Sequence, residues 1–90
     1  MKKKQASKNM RASDMFVTNM KGLMAMQEIS ASEMQGYMGI GETTYYKRLK
    51  RPYEFTLDNV ERVASRLGVA PADMLDTVMT VGADRRNTSS

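Results

Sequence analysis

Residues 39–52 read Gly39-Ile-Gly-Glu-Thr-Thr-Tyr-Tyr-Lys-Arg-Leu-Lys-Arg-Pro52. Two glycines bracket an isoleucine, a polar start follows, and four bases fall within five positions before a proline. The stretch predicts a helix over about Glu42–Lys50, with Gly41 as a tolerable N-cap. Pro52 closes it, because a following proline disfavours the α conformation at Arg51. At about 100° per residue, Leu49 lies about 40° from Tyr45, so these two side chains anchor the helix on one side. Thr43, Lys47 and Lys50 lie opposite, flanked by Thr44, Tyr46 and Arg51. A narrow apolar footing thus carries a wide face of hydroxyls and cations. Such a face suits a helix in a DNA major groove, where Lys and Arg hold phosphates and shorter polar groups read base edges.

The residues before it supply a partner helix. Ser30-Ala-Ser-Glu33 has the spacing of a capping box, in which serine and glutamate each satisfy one helix-start N–H. Met34 and Met38 stand one turn apart, and Gly39 is a natural C′ residue. Gly36, inside this short helix, costs about 1 kcal/mol relative to alanine; close approach of a second helix would explain it. Two short helices joined through Gly39–Gly41, with Ile40 plugged between them, follow the helix-turn-helix plan. Free N–H groups at Ser30–Glu33, with the hydroxyls of Ser30 and Ser32, offer a phosphate site at the first helix's start.

Outward from this pair the pattern stays helical. Phe16, Met20, Leu23 and Met24 form one stripe of a helix running from Ser13 to about Gln27. Thr56 caps another, with Leu57, Val60, Val63, Ala64 and Leu67 as its stripe and Gly68 at its end. Pro71 sits at the N1 position it prefers, opening a last helix from Ala72 to about Met79 with Met74, Leu75 and Val78 inward. Tyr53 and Phe55 are expected to pack over the core edge. No strand pattern or repeat competes, so the fold class is all-α, five short helices. The organisation is a flexible basic arm (1–12), a folded domain (13–80) and a polar disordered tail (81–90).

Composition narrows the function. Ninety residues fit one domain, burying about 60% of its extended-chain surface, so modest stability is expected. With no cysteine, disulfides and thiolate metal sites are excluded, which fits a reducing compartment. With no histidine, the commonest metal ligand and the usual general base are missing. Ten scattered carboxylates without a glycine-rich phosphate loop leave no constellation for an enzyme, and no cofactor or small-molecule ligand is expected. No apolar run approaches the ~18 residues of a membrane span, and the arm lacks an inserting apolar face, so no membrane role is expected. The net charge is +4. Lys2, Lys3, Lys4, Lys8 and Arg11 precede the first acid, Asp14, and Lys47, Arg48, Lys50 and Arg51 form a second cluster. Two basic concentrations on a near-neutral body point either to a polyanion partner or to a solubilising tail plus a solvated helix face.

At these residues a family resemblance emerges. Glu28–Met79 resembles the helix-turn-helix domain of phage repressors and Cro proteins, the lambda-repressor-like or XRE group. It is carried by the turn Gly39-Ile40-Gly41, the helix start Glu42-Thr43-Thr44-Tyr45, and the segment Phe55-Thr-Leu-Asp, Val60, Val63-Ala64, Leu67-Gly68-Val69, Met74-Leu75. The resemblance implies a lambda-repressor-like domain whose base-reading positions are Glu42, Thr43, Tyr46 and Lys47. It places Thr44, Lys50 and Arg51 toward phosphates. For Glu42 two readings stand: acceptor from a cytosine amino group, or complement to the positive helix start. The chain departs from the family pattern at Ala31, where glutamine is frequent, and at Gln35, where alanine is preferred at the helix crossing.

The resemblance implies a double-stranded DNA operator as partner and a homodimer on a pseudo-palindromic site. The lack of a membrane-length run and of a secretion-like stretch behind the basic start leads to an expected cytoplasmic, nucleoid-associated location. The leading expectation is a small prophage-type transcriptional repressor. The alternative is a protein-interaction module, an antitoxin or anti-repressor using the same helix face. The arm (Lys2, Lys3, Lys4, Lys8, Arg11) either follows DNA or touches nothing. Ten methionines mostly fill core positions, with Met15, Met26 and Met79 at stripe edges that suit self-association.

Overall fold

The computed structural model describes residues 11–76. The arm lysines Lys2, Lys3, Lys4 and Lys8, the end of the last helix at Val78 and Met79, and the tail 81–90 lie outside the described residues. Within them the order is α1 (Ala12–Gln27), α2 (Ala31–Met38), α3 (Glu42–Lys50), a single 3-10 turn (Pro52–Glu54), α4 (Leu57–Leu67) and α5 (Pro71–Asp76). All regular structure among the described residues is helical.

Three helices stop in the same way, and these stops turn the chain. Glu28, Gly39 and Gly68 follow α1, α2 and α4 in the left-handed region, with φ of 56°, 75° and 77°. The next residue is apolar each time: Ile29, Ile40 and Val69. Its N–H reaches back five residues to the carbonyls of Met24, Gln35 and Ala64, at 2.9, 3.1 and 3.0 Å. These are Schellman closures, in which the left-handed residue satisfies orphan carbonyls and returns an apolar side chain to the core. Ile29 is buried, and Ile40 and Val69 pack partly buried against the same cluster. Glycine enters the left-handed region freely, whereas a glutamate at Glu28 is strained there by roughly 1 kcal/mol.

The starts are as local. Ser30 Oγ accepts from the Glu33 N–H at 3.0 Å, and the Ser30 N–H donates to Glu33 Oε1 at 2.9 Å. Around Thr56 an equivalent box uses Asn59, which accepts from the Thr56 N–H and donates its own to Thr56 Oγ1, both at 3.0 Å. In the core, α1 contributes Phe16, Met20, Leu23 and Met24, α2 contributes Met34 and Met38, α4 contributes Val60, Val63, Ala64 and Leu67, and α5 contributes Met74. Asn19, fully buried, donates from Nδ2 to the Met74 carbonyl at 3.1 Å and so ties α1 to α5.

Several sequence expectations need correction. α1 begins at Ala12 rather than Ser13, after an Arg11 N-cap without a side-chain cap bond. Leu57 is 66% exposed, because as the first residue of α4 it sits at the rim of an apolar groove with Phe16, Phe55, Val60 and Leu75. Tyr53 is also exposed, under the Arg11 guanidinium at 5.7 Å, whereas Phe55 does cover the core, edge-on to Phe16 at 5.2 Å. Gly36 has no close helix beside it: a Cβ there would meet nothing within 4 Å, because the residue faces outward.

Candidate nucleic-acid interface

α3 stands on few supports. Tyr45 is 2% exposed, and its hydroxyl donates to Met24 Sδ at 3.9 Å. Leu49, on the same side, is only partly buried against the core, as is Ile40 in the turn. Burial, and secondarily the neighbouring Tyr46, push the Tyr45 hydroxyl above its ordinary pKa. A phenolate is poorly solvated in that position.

Opposite this footing the helix is open. Thr43, Lys47, Lys50 and Arg51 are exposed there and Thr44 is half-buried, while Glu42, also exposed, projects from the helix start about 60° from Tyr45. Tyr46 is 46% exposed and held by the Tyr45 ring, edge-on at 5.0 Å. Thr43, Tyr46, Lys47 and Lys50 line one shallow depression. Glu42 occupies the first turn and Lys47, Arg48 and Lys50 the last, both favourable against the helix dipole. Arg51 pairs with Glu54 at 3.7 Å, an exposed contact that contributes little.

A family model for the Cro/C1-type helix-turn-helix DNA-binding domain matches residues 19–79, more than half of the chain. The chain belongs to this Cro/C1-type family. No curated protein and no solved structure matches it. Membership makes this a DNA-binding helix-turn-helix domain whose partner is double-stranded DNA. The matched span takes in the second half of α1 and all of α2 to α5. No helix among the described residues is long and apolar enough to cross a membrane.

The start of α2 carries the capping box expected from Ser30 and Glu33. The N–H groups of Ser30 and Glu33 are engaged in the capping box, and the Glu33 carboxylate at that helix start opposes an approaching anion. What this end presents outward is the pair of exposed residues Ser30 and Ser32. At the crossing, Gln35 is half-buried while Gly36 is exposed.

One residue pair was hidden from the sequence pattern. Arg48, which falls within the basic cluster by position, is half-buried and donates from Nη1 to Asn59 Oδ1 at 2.7 Å. The available signal was angular: at about 300° from Tyr45, Arg48 flanks the anchoring side of the helix, not the open face.

Proposed function

We propose that the protein is a sequence-specific transcriptional repressor of the phage type, binding its operator as a homodimer with α3 in the major groove. The observation that carries this reading is the contrast across α3, with Tyr45 buried beneath and Thr43, Lys47 and Lys50 exposed above. In this reading Thr43, Lys47, Tyr46 and Glu42 meet base edges. Lys50, Arg51 and Thr44 meet phosphates on one side, with Ser30 and Ser32 on the other. Lys2, Lys3, Lys4, Lys8 and Arg11 add contacts along the backbone or minor groove.

Selection of bound duplexes from a random pool at near-physiological salt tests the reading. It should return a palindromic consensus with half-sites about 34 Å apart, and affinity should fall by orders of magnitude as salt rises. A pool without consensus, with tight salt-insensitive binding to a protein instead, would favour the interaction-module alternative.

A further inference from the structure

We infer that Arg48 is a positioning residue that fixes the inclination of α3 through Asn59, and is not one of the cations that meet phosphate. This rests on the reading of α3 as the groove helix. Of the four bases in the 47–51 cluster, Lys47, Lys50 and Arg51 are exposed, while Arg48 is half-buried on the anchoring flank. Its Nη1 lies 2.7 Å from Asn59 Oδ1, the short length of a charge-assisted bond.

Asn59 is a firm anchor. It is 4% exposed, and the α4 capping box fixes it from both sides, through the Thr56 N–H and Thr56 Oγ1 at 3.0 Å each. The same Oδ1 therefore accepts from the start of α4 and from the recognition helix. Behind it, Val60, Val63, Ala64 and Leu67 root α4 in the core. α3 otherwise rests on one fully buried side chain, Tyr45, with Leu49 on the far flank. A helix held on a single central ring can rock about it, and the Arg48–Asn59 bond stops that motion on one side. Base-edge hydrogen bonds need the side chains in register, whereas flexible cations follow phosphates through a small tilt. Loss of this tie should therefore affect sequence discrimination before it affects electrostatic affinity.

The full chain is titrated across a salt series with its pool-selected duplex and with a shuffled duplex. The parent is compared with R48M, N59S and N59D at a temperature where circular dichroism shows each variant fully helical. R48M and N59S should each lower the ratio of specific to shuffled affinity by on the order of tenfold, the worth of about one base contact. The salt slope on the shuffled duplex should stay at the parent value, and combining the two substitutions should add no further loss. N59D, which keeps an acceptor for both bonds, should retain the parent ratio. If instead R48M lowers the slope by about 0.9, one phosphate contact, and weakens both duplexes alike while N59S binds as the parent does, Arg48 is an ordinary phosphate cation and the inference is overturned. A parent that fails to distinguish the two duplexes sinks the groove-reading assignment and this inference with it. A parent that discriminates beside variants that discriminate equally well sinks the inference alone.

Discussion

Replacing Tyr45 with alanine removes the one fully buried side chain of α3. The ring is 2% exposed, so the loss is that of a core aromatic: about 3–5 kcal/mol, transfer and residual cavity together. Native domains hold only about 5–15 kcal/mol in total, and one this small sits toward the low end. At about 4–8 °C per kcal/mol for a domain of this size, the melting midpoint should drop by tens of degrees. Tyr45→Phe isolates the hydroxyl, which donates to a weak sulfur acceptor 3.9 Å away. It should shift stability by less than about 1 kcal/mol. Thermal and urea unfolding followed by circular dichroism would compare the two, with an unchanged denaturant slope showing that the unfolding reaction is the same. A Tyr45→Ala midpoint within a few degrees of the parent would refute the claim that this ring supports α3.

The same packing and charge distribution lead to three further outcomes. The raised Tyr45 pKa favours the protonated phenol in the folded state, so its contribution is complete below the ordinary tyrosine value near 10 and declines as pH rises past it; Tyr45→Phe should flatten that alkaline loss, and an unchanged alkaline limb would contradict the burial. Gly36→Ala should stabilise the protein by about 0.5–1 kcal/mol, since a Cβ there enters open space; a lower urea midpoint would mean that a neighbour packs on Gly36 after all. Deleting residues 1–11 should lower the slope of log affinity against log salt by about 0.9 for each phosphate that the arm neutralises, and an unchanged slope would retire the proposed role of the arm.

How much of this was legible in the sequence depends on how local the cause was. The α2 box was readable because Ser30 and Glu33 stand at the spacing the interaction requires, and Gly39 and Gly68 announced their left-handed turns by lacking a Cβ. Glu28 adopts the same turn without the glycine, because burial of Ile29 behind it outweighs the local strain. Asn59 completes a capping box outside the serine–glutamate pattern, and its second partner, Arg48, comes from another helix. Leu57 fits the α4 stripe by periodicity, yet the helix begins beneath it and leaves it at a groove rim. At the candidate interface the open face of α3 followed from its angular pattern. Arg48 lies on the anchoring flank by angle, but its bond to Asn59 needed the three-dimensional position of α4.

The central claim is that the outward side chains of α3 distinguish base pairs. Its most direct test is the affinity of Thr43→Ala and Lys47→Ala for a set of duplexes that each differ from the selected site by one base pair. Each variant should keep the parent's helical spectrum while losing about 1–3 kcal/mol of discrimination at particular positions. Variants that ranked every duplex as the parent does, with the same energy gaps, would show that this face is not the reader.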